Sequence, residues 1–264
     1  TLSLHDALPI SLAADTLRAA GFAISRLFSR ATLDGRGGAT LDLDMNGANG
    51  TRAAARAQVA MATDTVQVLL DSLTLRTGRQ QWLLASPASF TAGAPGFAVD
   101  SFVLNGAGGS TLRLAGAVPT TGESSLRFRA RGLPVANLAE LLQTPGKQEG
   151  EIAIDARLEG TRAAPQLEAT GSITGGIVAG IRLDTLMLTA SGSSDALRLA
   201  ATLGPPGRPV MIGEGTLPFH LRLDERGSSM DERAPISASI TSDTVSLRLF
   251  DAITSRANGD PGSF

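Results

Sequence analysis

Residues 150–171 read GEIAIDARLEGTRAAPQLEATG, and this stretch decides the fold. Positions 152, 154, 156 and 158 are apolar, whereas Glu151, Asp155 and Arg157 stand at the alternate positions. A period of two is typical of a β-strand that has one apolar face and one face in water. We therefore predict a strand here whose apolar face is covered either by another layer of the protein or by an apolar ligand.

A turn interrupts this alternation at residues 160–165, which read GTRAAP. Gly160 breaks the run, and Pro165 fixes φ where the chain becomes extended again. The alternation resumes at residues 167–171, and Gly175-Gly176 marks the next turn. A strand, a turn and a second strand form a unit that can be repeated, so we predict an all-β, antiparallel repeat array.

The rest of the chain follows the same pattern. Strands are expected at residues 40–45, 97–104, 111–117 and 124–130, at a spacing typical of an antiparallel meander. The apolar run at residues 66–75 changes phase at Asp71-Ser72, which indicates a bulge or a bend.

Three stretches carry helical signals. Leucines at helical spacing predict one short helix within residues 133–142, with a weaker repeat of the pattern at residues 246–253. Residues 11–30 are ambiguous between a linker and a helix capped by Asp15.

The composition excludes several classes of function. The net charge of −2 and the single lysine, Lys147, give no basic surface for nucleic acid or an anionic membrane. Cysteine is absent, which excludes disulfides and thiol catalysis. No apolar run approaches the ~20 residues of a membrane-spanning helix. Residues 1–10 resemble a translated sequencing adapter, so we expect a non-native leader there, and residues 254–264 predict a loop or a truncated end.

One motif begins like a calcium loop. Asp42, Asp44 and Asn46 alternate ahead of Gly47, but the twelfth position, where a bidentate glutamate is needed, is Ala53. We interpret the aspartates as solvent-facing residues of a strand that enters a turn. The glycine-rich residues 106–110 are followed by neither a lysine nor a helix, so they do not predict a phosphate-binding loop.

Histidine is too scarce to indicate an active site. His5 lies in the expected leader, which leaves His220, and a zinc site needs three or four ligands. His220 alternates with Phe219 and Leu221 in what resembles a strand, so we interpret it as a surface-facing residue. We predict no catalytic residues, no metal, no cofactor and no enzyme activity.

Several strands instead carry one-sided aliphatic stripes, which must be hidden against another layer. The pattern alone favours a closed sandwich or solenoid core. The alternative is a sheet that leaves a groove for an apolar ligand.

The repeat at residues 150–190, together with GLPVANLAELL at 132–142 and GEGTLPFHLRL at 213–223, resembles the TamB proteins of the wider AsmA-like group. The likeness extends from about Leu69 to Ile253. It implies an elongated antiparallel sheet curled into a U-shaped groove over residues 31–253. It also implies a middle fragment of a protein anchored in the inner membrane of a diderm bacterium and extending through the periplasm.

The resemblance further implies that the groove conducts phospholipid between the inner and outer membranes, in connection with outer-membrane biogenesis and protein assembly. The implied partners are phospholipid acyl chains and an outer-membrane barrel assembly protein. A structural or adhesive secreted β-solenoid is the alternative, and a chaperone that offers open edge strands is a third reading. The residues expected to line the groove are Leu112, Leu114, Ile152, Ile154, Leu158, Ile181, Leu183, Leu197, Leu199, Leu217, Phe219, Leu221 and Leu223.

Overall fold

The computed structural model describes residues 9–19, 22–34, 37–47, 50–77, 80–136, 149–178, 181–205, 208–224, 227–231 and 233–242. Its first nine strands are Pro9–Ala19 (β1), Phe22–Leu33 (β2), Gly38–Gly47 (β3), Arg52–Met61 (β4), Thr65–Thr77 (β5), Gln80–Leu84 (β6), Ala88–Gly93 (β7), Gly96–Gly106 (β8) and Thr111–Pro119 (β9). The others are Ser124–Pro134 (β10), Glu149–Gly160 (β11), Pro165–Val178 (β12), Ile181–Gly192 (β13), Leu197–Leu203 (β14), Met211–Leu217 (β15), Phe219–His220 (β16), Ser229–Met230 (β17) and Ser237–Ser242 (β18).

The described strands form one long antiparallel sheet of sixteen strands, and β16 pairs with β17 in a separate two-stranded sheet. The order is that of the sequence from β1 to β6, then β8 to β15, with β18 beside β15. Strand β7 pairs with both β5 and β8. The sheet is curled, as predicted for an all-β groove, and along most of it strands that are consecutive in sequence are neighbours.

The register places the apolar residues of successive strands on one face. Ile154 pairs with Ala130 on one side and with Gly171 on the other, and residues paired in this way share a face of the sheet. The same relation holds where β3 meets β4, since Leu41 pairs with Ala57. The opposite face carries the charged residues. We call the two sides the apolar face and the polar face.

The buried core lies at the middle of the sheet. It consists of Trp82, Leu104, Ala130 and Leu133, which come from strands β6, β8 and β10. The Trp82 ring takes the space above Gly106, where a Cβ atom would lie 2.9 Å from the ring. The glycine therefore makes room for the indole, and the apolar face is filled at this point.

The interpretation of residues 11–30 as helix or linker is wrong, because residues 11–19 belong to β1 and residues 22–30 to β2. Helix propensity is a weak guide there: Leu27 and Ala31 pair with Met45 and Leu41 of β3, and the ladder outweighs it. Of the short helix expected at 133–142, Leu133 ends up in β10 and residues 135–136 are helical. The other positions of that helix, like residues 246–253 and 254–264, lie outside the described residues. So does the expected leader, apart from Pro9 and Ile10 in β1.

Candidate functional site

The candidate site is an apolar trough on the apolar face of β11 to β15 and β18. Cross-strand pairing arranges its residues in four rows that run across the strands. The first row is Leu158, Leu167, Gly192, Leu197 and Leu217. The second is Ala156, Ala169, Ala190, Leu199, Gly215 and Ala238. The third is Ile154, Gly171, Leu188, Ala201, Gly213 and Ile240, and the fourth is Ile152, Ile173, Leu186, Leu203 and Met211.

The two middle rows line a cavity of about 710 Å³. Most of their members are alanine or glycine, so the floor of the trough is low, while the first and fourth rows carry larger aliphatic side chains. Leu188 and Leu199 stand in the cavity with exposed fractions of 44% and 41%. A folded protein normally covers leucines placed side by side on one face.

The dimensions suit an extended hydrocarbon chain. Neighbouring strands lie ~4.8 Å apart, so the six strands of the trough span ~24 Å along its axis. Rows two residues apart on a strand are separated by ~6.6 Å. The hydrocarbon core of a bilayer is ~30 Å thick, which gives ~15 Å per leaflet. The trough is therefore longer than the acyl region of one leaflet.

The polar face has a different chemistry. Arg129 donates a hydrogen bond from Nε to Oδ2 of Asp155 at 2.6 Å, and Arg157 is paired with Glu159. A second cavity, of about 650 Å³, has Glu168 among its lining residues. The two faces are thus chemically distinct along the same strands.

Toward β10 the apolar face is closed. Leu112, Ile152 and Ile154 pack against the Trp82 cluster, and Leu114 is half-buried opposite Phe128. The core therefore fills the face between β6 and β10, and the cavity opens from β11 onward. The cavity includes Ile152, Ile154 and Leu199 but not Leu112 or Leu114.

Leu158, Leu197 and Leu217, also expected to line the groove, lie in the first row and are not among the residues that line the cavity. The backbones of Ile181 and Leu183 belong to β13, but their side chains fall outside the described residues.

Residues 217–223 do not form one strand with one apolar stripe. Strand β15 ends at Leu217, and Pro218 has no N–H to continue the ladder. The following residues cross the ends of neighbouring strands. We call Pro218–Asp224 the strap. Phe219, Leu221 and Leu223, all predicted to line the groove as strand residues, belong to it.

The prediction that His220 faces the surface is wrong, because the residue is half-buried in the strap. Its Nδ1 atom lies 2.6 Å from the carbonyl oxygen of Ser194, so the ring donates a hydrogen bond there. The ring therefore holds the strap against the turn after β13. Among the described residues no three His, Cys, Asp or Glu side chains cluster as metal ligands.

Sequence reasoning missed part of the trough. Leu188, Ile173 and Ile240 line it, as do the small residues Gly171 and Gly213. The signal for the glycines was present, because glycine inside a strand often marks a close approach of another group. Leu188 can be assigned to the trough once the register is known, because it lies two residues from Leu186 on β13 and therefore on the same face.

No protein-family model, curated protein or solved structure matches this chain. Among the described residues there is also no helix of the length and apolarity that crossing a bilayer requires.

Proposed function

We propose that the apolar trough holds and conducts the acyl chains of phospholipids, without catalysing a reaction. The observation that carries the proposal is the uncovered apolar cavity formed by the two middle rows. The likeness of the repeat to TamB proteins supports the same cargo. On this proposal the chain acts in the periplasm of a diderm bacterium, between the two membranes and beside an outer-membrane barrel assembly protein.

The physical chemistry of the trough favours a cargo that slides. Each methylene group removed from water contributes ~0.8 kcal/mol, so an acyl chain gains from lying on this face at any position. The middle rows contain aliphatic residues and glycine and present no side-chain hydrogen-bond donor that would fix one pose. A uniform lining therefore retains an acyl chain without creating a single deep free-energy minimum along the trough.

Site-specific photo-crosslinking tests this proposal with matched control positions. A benzophenone amino acid is placed at Leu188 or at Met187, which are adjacent in β13 but on opposite faces. Their exposed fractions are alike, 44% and 50%. Leu199 and Ile212 form a second pair, at 41% and 39%, on the apolar and polar faces respectively.

Each variant is mixed with vesicles of radiolabelled phosphatidylethanolamine and phosphatidylglycerol and irradiated. We expect several-fold more lipid adduct at Leu188 and Leu199 than at Met187 and Ile212. Equal labelling of both faces, in variants whose Trp82 emission shows a folded core, would contradict lipid binding in the trough. That outcome would favour the structural β-solenoid.

A further inference from the structure

The strap lies over the first row of the trough. The N–H of Leu221 donates to the carbonyl oxygen of Ser193 at 3.0 Å, which brings the strap to the end of β13. A Cβ atom built on Gly192 would lie 3.6 Å from Cδ2 of Leu221 and 3.5 Å from Cβ of Leu167. The Leu221 side chain is thus seated over a first-row glycine, on the apolar face.

Arg162 fastens the far end of the strap. The N–H of Leu223 donates to the Arg162 carbonyl oxygen at 2.8 Å, and Nε of Arg162 donates to the Leu223 carbonyl oxygen at 2.8 Å. Arg162 belongs to the turn at residues 160–165, so this turn does more than connect β11 to β12. It binds a segment 61 residues further along the chain.

We infer that the strap is the side wall of the trough and that Arg162 is its latch. The wall retains an acyl chain by blocking its escape across the first row. This inference rests on the proposed lipid-conducting function for its consequence, but the closing of the wall can be measured without lipid. Arg162 acts here as a positioning residue, through the strap.

The lipid-free experiment measures access to the first row beneath the strap. The chain contains no cysteine, so Leu167→Cys provides a single thiol for labelling with a maleimide. We expect Arg162→Ala to raise the labelling rate about fivefold, the change in equilibrium that one ordinary hydrogen bond provides. Arg162→Lys keeps the charge and an N–H donor but loses the placed Nε–H, so its labelling rate should lie between those of the wild type and Arg162→Ala. Arg157→Ala, which removes an arginine of the polar face in the same hairpin, should leave the rate unchanged.

The lipid experiment uses a phospholipid with a pyrene-labelled acyl chain and measures its release to acceptor vesicles. Ser193→Cys with Leu221→Cys joins two residues whose backbones are hydrogen-bonded, so that oxidation locks the strap in place. We expect slower release from the oxidised than from the reduced form of this double variant, both of which lack the Leu221 side chain. We also expect faster release from Arg162→Ala than from the wild type. The disulfide experiment does not use Arg162→Ala, so its result does not depend on whether that variant is less stable than the wild type.

The outcomes separate the two ideas. Labelling that is the same in wild type and Arg162→Ala would overturn the latch. Release rates that are the same in the oxidised and reduced proteins would contradict the claim that the strap retains the acyl chain, even where lipid is bound. Failure of the pyrene lipid to bind at all, with labelling of the first row still controlled by Arg162, would overturn the proposed function and leave the strap as a closed wall.

Discussion

At the scale of single residues, the turn at Gly160 has a backbone conformation that depends on the absence of a Cβ atom. Gly160 has φ of +79°, and a Cβ atom there would lie 2.6 Å from the carbonyl oxygen of Ala164. That carbonyl cannot move freely, because the turn is closed by the N–H of Ala164 donating to Thr161. The next residue, Pro165, is fully buried and paired with Gly160.

We expect Gly160→Ala to lower the free energy of unfolding by about 1–3 kcal/mol, and by more than Gly122→Ala does, because it adds a clash with the Ala164 carbonyl oxygen to the strain of a positive φ. The measurement is urea unfolding followed by fluorescence of Trp82, the single tryptophan of the chain. Gly122→Ala is the control: Gly122 has φ of +99°, but a Cβ atom there meets nothing within 4 Å. An equal loss in both variants would show that the contact with Ala164 carries no weight.

At the scale of elements, β3 and β4 show why the calcium-like motif is a strand. Asp42 and Asp44 lie in an extended strand, whereas a calcium loop must wrap around its ion. Oδ1 of Asp42 also accepts a hydrogen bond of 2.7 Å from Nε of Arg56, its partner across the ladder. This hydrogen bond, together with the charge of Asp42, raises the pKa of Arg56 above its ordinary value. The Arg56 guanidinium therefore stays charged at every pH below that ordinary value and loses its proton only as the pH rises through the raised one.

We expect millimolar calcium chloride to change the melting temperature no more than sodium chloride of equal ionic strength. The reason is that Asp42 is already engaged and that calcium needs six to eight oxygen ligands. Thermal unfolding followed by circular dichroism provides the measurement. A rise specific to calcium that disappears in Asp44→Asn would show that the motif binds the ion after all.

The same elements show what the sequence could predict. Alternation at Ile152 and Ile154 predicted both the strand and the face, because side chains of a strand alternate strictly. The phase change at Asp71-Ser72 predicted a bulge, and the register indeed shifts there between Arg56 and Ala57 of β4. A one-residue irregularity is visible in sequence because it moves every later side chain to the other face.

The strap was not predictable in the same way. Alternation continues through Pro218 to Leu223, and an extended segment that crosses other strands has the same pattern as a strand within the sheet. What places it is the contact between Leu223 and Arg162, which no local pattern encodes. The trough depends likewise on which strands become neighbours and on how the sheet curls around Trp82.

At the scale of the whole molecule, the sheet is held mainly by contacts between neighbouring strands. Stability in such an array is close to a sum of local terms, so its parts can open separately. The Trp82 cluster adds buried contacts at β6 to β10, whereas β18, at the end of the described sheet, is largely exposed. The protection of backbone amides against hydrogen exchange should therefore decrease from the Trp82 cluster toward β18.

Hydrogen exchange measured by mass spectrometry tests this gradient. We expect the slowest amides in β8 to β10, faster exchange in β13 to β15, and the fastest in β18. Trp82→Ala, which removes a buried indole at a typical cost of about 3–5 kcal/mol, should accelerate exchange in β8 to β10 far more than in β13 to β15. Equal acceleration in all these strands would mean that the sheet unfolds as one cooperative unit. The apolar trough could then not open without loss of the core, and sliding of a ligand would have to occur on a rigid wall.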